Sequence, residues 1–360
     1  MSSPVTPDDA ASGPADARRP PGMTDVARLA GVSQKTVSRV VNNERYVSEE
    51  AREKVLRAAA ELGFRPNTAA RALITGRFRR IGVVSLGSAL FGPASLLVAL
   101  ERATRAAGFS FMVANTAEGQ PDAIQGAIDW LLAQGVDGII LSEPIDEGQR
   151  LRPDSSVPIV SLGRAPGLPD DRVALARGRT AAACREAVEH LLGLGHERVW
   201  HVAGPQDWWE GRERREAWAA AHREHGIEPP PPFEGDWSPA AGYAAGRDLP
   251  PEATAVFCAN DDTAIGLIRA LTEAGRRVPE DVSVIGFDDI PAAAYLSPPL
   301  TTVRQDFEAD AIHGLNVLMR LLPGAAEPEA DDGGAAPRRL VIRDSTAPPL
   351  SEKAMPDDIS

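Results

Sequence analysis

TDVARLAGVSQKTVSRVVN, residues 24–42, decides how this chain is read. Val26, Ala27, Leu29 and Ala30 fall at the spacing of an amphipathic helix, and Gly31 stops it. Thr24 is placed to cap that helix. Ser33 is placed to cap a second, whose Val37, Val40 and Val41 share a face until Asn42 and Asn43 break it. Ser48 opens a third helix with Glu49 and Glu50 in its first turn, where carboxylates suit the helix dipole. Val55, Leu56, Ala59 and Leu62 are expected to face inward there, before Gly63 ends it. Three such stripes can close one miniature core. Helix, tight turn and capped second helix form a helix-turn-helix. With Val32 and Val37 packed between the helices, Ser33, Gln34, Lys35, Thr36, Ser38 and Arg39 point outward. Lys and Arg suit guanine O6/N7, Gln suits adenine or phosphate, and hydroxyls suit phosphates. The polar face of an ordinary helical hairpin has the same pattern.

Charge separates the alternatives. The 360 residues carry 38 basic and 51 acidic side chains, net −13, which taken whole argues against a DNA-binding protein. Residues 22–80 hold twelve Lys/Arg against six Asp/Glu, net +6. Residues 1–21 are −1, so 81–360 carry −18. A basic module on an acidic body points to nucleic acid as the partner of the basic part, with chance clustering as the bland alternative. The length suits about two domains. No apolar run reaches the ~18 residues of a membrane helix. The start, MSSPVTPDDAASGPADARRPPG, is rich in Pro, Ala and Asp, reads as a disordered tail and has no secretory h-region. Cys184 and Cys258 cannot frame a disulfide scaffold and suit a reducing, cytoplasmic setting with no membrane partner.

RPNTAARALITGR (65–77) follows the third helix. Pro66 and Asn67 can start a helix too short to be stable alone, with Ala69, Ala70 and Leu73 on one side. Leu73, flanked by Arg71, Arg77, Arg79 and Arg80, has the surroundings of a minor-groove wedge; a linker with a chance leucine looks the same. From residue 81 strands and helices alternate. Strands are expected at 81–86, 111–115, 137–141, 158–162, 199–204, 255–260, 282–287 and within 338–346. Helices are expected near 93–107, 121–134, 180–193, 211–225 and 262–274. That alternation implies parallel sheets, and its length implies two similar α/β lobes. Residues 324–337, acidic and rich in Gly and Ala, read as a loop.

MTDVARLAGVS, KTVSRVVN, VSEEAREKV, LGFRPN and AARAL lie in the basic module; GHERVWHVAGP (195–205), ANDDTAIG (259–266), VSVIGFDDI (282–290) and PPLTTVRQDF (298–307) lie in the body. On these motifs, residues 23–322 and 338–347 resemble the lactose/galactose repressor family of bacterial transcription regulators. The resemblance implies an α/β chain: a helix-turn-helix three-helix headpiece (23–64), a hinge helix and linker (65–80), and a two-lobed effector domain like the periplasmic binding proteins (81–347), between tails at 1–22 and 348–360. It implies a homodimer on pseudo-palindromic double-stranded operator DNA. Gln34, Lys35 and Arg39 would then read bases, and Ser33, Thr36, Ser38 and Asn42 would mostly meet phosphates. Asn67 joins the DNA-contacting set and Leu73 is the hinge wedge. The tail LSEKAMPDDIS lacks the Leu heptad of tetrameric relatives, so a dimer is expected.

A ligand cleft follows from strand ends. Asn260 ends AVFCAN and Asp288 ends VSVIGF, the carboxyl ends where open α/β sheets bind ligands. The resemblance places Arg214, Trp237, Asn260, Asp288 and Phe307 in the cleft, and Leu90, Phe91 and Ser95 at its mouth. Trp208 and Trp209 add a platform for a glycoside. The first lobe departs from the family pattern: Gly163 and Arg164 replace an acidic residue, and Ala176 and Arg177 replace an Asp-Asn pair. Arg164, Arg177 and Arg179 suit an acidic or phosphorylated ligand, or a plain surface. GDWS and TTVRQDF resemble galactoside-responsive members and favour a sugar or glycoside effector. A corepressor-dependent regulator sensing a purine or sugar phosphate is the alternative. A sugar-binding transport receptor would need a signal peptide and has no use for residues 24–77.

Enzymatic chemistry has little support. Walker A, G-x-S-x-G and H-E-x-x-H motifs are missing from the sequence, and no cofactor or metal is implied. His222 and His225 stand three apart on a helix, where a solvated face is favoured over a metal site. His190 and His196 flank a helix end, a favourable place for histidine. The pairs Asp261/Asp262 and Asp288/Asp289 fit strand-end ligand binding better than acid–base work.

Overall fold

The computed structural model describes residues 21–41, 46–65, 78–116, 123–142, 151, 157–163, 173–175, 180–322 and 338–350. The calls on Asn42, Asn67, Leu73, Arg164, Ala176, Arg177, Arg179, the hinge helix, the loop 324–337 and most of both tails lie outside these residues. The chain divides into two compact units between residues 76 and 77, within the stretch expected as hinge and linker.

The first unit holds α1 (Met23–Ala30), α2 (Gln34–Val41) and α3 (Glu49–Leu62). Val26, Val37 and Val55 are almost fully buried and meet at the centre, joined by Ala27, Val40 and Ala58. Gly31 takes φ +65°, the left-handed turn that ends α1, and the Val32 N–H closes on the Ala27 carbonyl at 3.1 Å. Ser33 caps α2 by accepting from the Thr36 N–H at 3.1 Å, and Ser48 caps α3 by accepting from the Ala51 N–H at 3.3 Å. Two local expectations are corrected. The first helix begins two residues earlier, with Gly22 at its N-cap and the Asp25 carboxylate accepting from the Gly22 N–H at 2.9 Å, so Thr24 lies inside the first turn. Leu56 is exposed rather than inward-facing; Val55, Ala58, Ala59 and Leu62 form the i, i+3, i+4, i+7 stripe, and residue 56 points a hundred degrees away from it.

The second unit contains two five-stranded sheets. The first runs β2 (Ser110–Thr116), β1 (Arg80–Leu86), β3 (Gly138–Ser142), β4 (Ile159–Ser161), β5 (Val173–Leu175), all parallel. The second runs β10 (Arg339–Val341), β9 (Thr301–Arg304), β8 (Ser283–Asp288), β7 (Ala255–Cys258), β6 (Trp200–Val202), with only β10 antiparallel. Helices α4 (Phe91–Ala106), α5 (Ala123–Ala133), α6 (Thr180–Gly193) and α7 (Trp209–Glu224) each follow a strand, as does α9 (Asp261–Glu273), against which α8 (Pro239–Arg247), the helix after α7, packs. Sheets covered on both faces explain the near-continuous apolar runs IGVVSL and VSVIGF, whose residues are buried almost throughout.

The alternation did not reveal one crossing. α10 (Phe307–Leu321) leaves the second sheet after β9 and packs Ala311, Leu315 and Leu318 among Ile81, Leu100, Ile140 and Val160 of the first. Its stripe is helical, but the spacing along 307–321 does not say which sheet the stripe covers. The short strands β5 and β9 and helix α8 were likewise not anticipated; three- and four-residue strands carry too little periodicity to register.

Candidate functional site

In the first unit, α2 buries Val37 and Val40 and leaves the opposite side polar. Gln34 and Lys35 are exposed; Thr36, Ser38 and Arg39 are half-buried on the same helix. The Ser33 and Thr36 hydroxyls share a hydrogen bond of 2.9 Å, so capping holds them at the helix start, beside the N–H groups that attract anions. Six of the nine expected DNA contacts therefore stand on one capped helix and its N-cap.

In the second unit, one cleft holds all seven expected ligand residues: Phe91, Trp208, Arg214, Trp237, Asn260, Asp288 and Phe307 line it. Its empty space is about 1010 Å³, open mouth included. Phe91 and Phe307 meet edge to face at 5.9 Å, and Trp208 and Trp237 at 5.5 Å. The Trp237 indole lies where a Cβ on Gly204 would stand 2.3 Å from it, so glycine in HVAG makes room for the ring. Trp237 and Asp288 have φ of +69° and +112°, and such strained backbone concentrates where side chains are aimed for function.

Arg214 is nearly buried. Its Nη1 donates to the Ala259 carbonyl at 2.5 Å, and its Nη2 lies 3.7 Å from Asp288 Oδ1. Its guanidinium carbon sits 3.8 Å from the Phe287 ring centre. Gln305 Nε2 donates to Asp288 Oδ1 at 2.6 Å. Burial pushes the Asp288 carboxyl up to about 6, against the pull of Arg214. Asn260 stands two residues beyond β7 and caps α9, its Oδ1 accepting from the Thr263 N–H at 2.9 Å. Among the described residues, five buried polar atoms on the cleft have no hydrogen-bond partner: Trp208 Nε1, Trp237 Nε1, Arg214 Nε, Arg338 Nη1 and Glu210 Oε2. Such groups are rare in folded proteins, and a cluster of them around one cavity marks a place built for hydrogen-bonding ligand atoms.

Sequence reasoning missed Glu210, Gln305, Asp310, His313 and Arg338, which also line the cleft. Gln305 and Asp310 adjoin Phe307, so α10's inward spacing was the available signal; Arg338 had none. Two expectations are corrected. Trp209 and Ser95 do not line the cleft, and the Arg212 guanidinium covers the Trp209 ring at 4.1 Å. His222 is buried rather than solvated: its Nε2 accepts from the Val199 N–H at 3.1 Å, which makes Nδ1 the donor to the Trp218 carbonyl at 3.0 Å. Buried His196 is likewise held by Thr254, Ser283 and the Ala347 carbonyl.

Asp261 and Asp289 are held by the protein itself. Asp261 accepts from Thr302 Oγ1 at 2.6 Å and from the Ile290 N–H at 2.8 Å; Asp289 pairs with Arg304 and Arg343. No cluster of three or more metal-ligating side chains occurs among the described residues, and none of their helices is long and apolar enough to cross a membrane.

Residues 22–67 match the family model of bacterial regulatory proteins, lacI family, and residues 188–346 match that of the periplasmic binding protein-like domain. The chain is 34% identical to the lactose operon repressor of Escherichia coli (strain K12) over 344 residues, 94% of each chain. The solved lac repressor dimer bound to operator and the anti-inducer ONPF superposes with a TM-score of 0.78 at 34% identity, covering 91% of this chain and 100% of that one. The transcriptional regulator CelR–cellobiose complex superposes with a TM-score of 0.65 at 32% identity, covering 90% and 99%.

Proposed function

Because the chain belongs to the lacI family of bacterial regulatory proteins, and is thus a ligand-responsive DNA-binding regulator rather than an enzyme, we propose that it represses a carbohydrate-utilisation operon in the cytoplasm. In this reading it binds a pseudo-palindromic operator as a homodimer, since one headpiece reads too few bases for genomic specificity. Gln34, Lys35 and Arg39 read base edges. Ser33, Thr36, Ser38, Asn42 and Asn67 hold the backbone, and Leu73 wedges the minor groove.

The observation that carries the effector reading is the cleft itself. Aromatic faces at Phe91, Trp208, Trp237 and Phe307 suit the C–H sides of a sugar, and Arg214, Asn260 and Asp288 suit its hydroxyls. The lactose and cellobiose regulators among its relatives support a sugar or glycoside. A ligand there changes operator affinity by its differential affinity for the two lobe arrangements. The test is operator selection from random duplexes with the purified protein, followed by anisotropy titrations with sugars, purines and sugar phosphates. Salt-sensitive, sequence-selective binding weakened by a neutral sugar is expected. No selective binding would sink the proposal, and strengthening by a purine or sugar phosphate would replace it with the corepressor reading.

A further inference from the structure

Five cleft residues are joined in one chain of polar contacts. Arg214 lies 3.7 Å from Asp288, Gln305 donates to Asp288 at 2.6 Å, Arg338 Nε donates to Gln305 Oε1 at 3.2 Å, and Arg338 Nη2 reaches Asp310 Oδ2 at 3.4 Å. The chain starts on α7 against the second sheet and ends on α10 against the first. It therefore extends the polar lining well beyond Arg214 and Asn260.

At its far end Arg338 is held on two sides. Its side chain is 9% exposed, Nε and Nη2 are engaged, and Nη1 is buried without a partner among the described residues. A guanidinium nitrogen can only donate, so whatever meets Nη1 must be an acceptor. Glu210, in the first turn of α7, is the converse: its Oε2 is buried without a partner. Burial pushes its carboxyl up, against the pull of Arg214 and Arg338, and it lines the same cleft as both. Each guanidinium of the chain already faces a carboxylate, Arg214 with Asp288 and Arg338 with Asp310, and Glu210 adds one acid more. These residues hold no surplus cation for a ligand anion. Oxygen-bearing neutral groups satisfy both a lone donor and a lone carboxyl, and burying such groups unmet is unfavourable.

We propose that Arg338 and Glu210 are specificity-determining residues for the second ring of a neutral glycoside, Arg338 donating to its oxygens and Glu210 engaging one of its hydroxyls, while the first ring occupies the end formed by Arg214, Asn260 and Asp288. This rests on the sugar-effector reading above. The test is calorimetric titration of the full-length protein with cellobiose, lactose and maltose, with the methyl glycosides of their component rings, and with glucose 6-phosphate. At least one disaccharide binds tenfold or more tightly than the methyl glycoside of its ring. Arg338→Met and Glu210→Gln each erase most of that preference, with an unchanged far-ultraviolet dichroism spectrum and thermal midpoint reporting an intact fold. Arg338→Met with Asp310→Asn gives the same loss, separating recognition from a stranded Asp310. Equal affinity for one ring and two, or an unchanged preference in the variants, overturns this inference alone, whereas tightest binding of the phosphate overturns the neutral-sugar effector reading with it. Absence of binding by every neutral sugar overturns the effector reading and this inference together.

Discussion

Asn260 Nδ2 donates to the carbonyl oxygen of Trp237 at 3.0 Å, tying the segment just beyond β7 to a residue whose φ is +69°. The Asn260 side chain is thus engaged at both ends, as helix cap and as brace for the cleft's indole. Part of its work is positioning rather than direct contact. The indole itself lies against Gly204, which leads to a first prediction. Gly204→Ala puts a methyl 2.3 Å from the ring and must displace it. Effector affinity should fall tenfold or more by calorimetry, with the far-ultraviolet dichroism unchanged. An unaltered affinity would remove Trp237 from the binding surface.

The pH dependence of the effector domain follows from two buried acids. Burial lifts Asp261 to about 8 and Asp288 to about 6 from an ordinary value of 3.8. Each carboxyl holds its proton more tightly when folded than when unfolded. Stability is therefore favoured below pH 4 by these groups, and that contribution declines as pH rises through each folded value. Thermal midpoints measured from pH 4 to pH 9 should show this decline, and Asp261→Asn should flatten its upper part. A midpoint that climbs across the same range because of Asp261 would contradict the burial argument.

Both cysteines should be inert in the folded protein. Cys184 and Cys258 are fully buried, and burial pushes the Cys184 thiol up to about 12 and the Cys258 thiol higher still. Ellman's reagent should detect no thiol under native conditions and both in denaturant.

For DNA binding, Gln34→Ala and Lys35→Ala should behave differently from removal of a backbone contact. Loss of a base-reading side chain costs about 1–3 kcal/mol and relaxes the preferred operator base. Loss of the Ser38 hydroxyl weakens all sequences evenly. Competition assays against single-base operator variants distinguish the two, and an even loss for Gln34→Ala would move that residue to the backbone class.

The headpiece core gives a further test. Val37 is fully buried among Val26, Val40, Val55 and Ala58. Val37→Ala should destabilise this small core by about 2 kcal/mol. Operator affinity should fall while effector binding by the same chain stays within twofold.

The residues alone determined the headpiece, because its contacts are local. Val26, Val37 and Val55 lie within thirty positions, and Gly31, Ser33 and Ser48 mark helix boundaries by turn and cap chemistry that acts over three or four residues. They also determined the α/β lobes and the strand ends that carry Asn260 and Asp288, since alternation and strand-end placement are readable along the chain. Tertiary structure alone decided what meets what across the crossovers. α10 returns to the first sheet, and Arg338 reaches Gln305 and Asp310 from 33 and 28 positions away. It also decided which polar groups are buried: His222 and Leu56 were each placed on the wrong side by their local sequence. Burial depends on which neighbouring elements cover a face, and a periodic pattern along one helix does not contain that information.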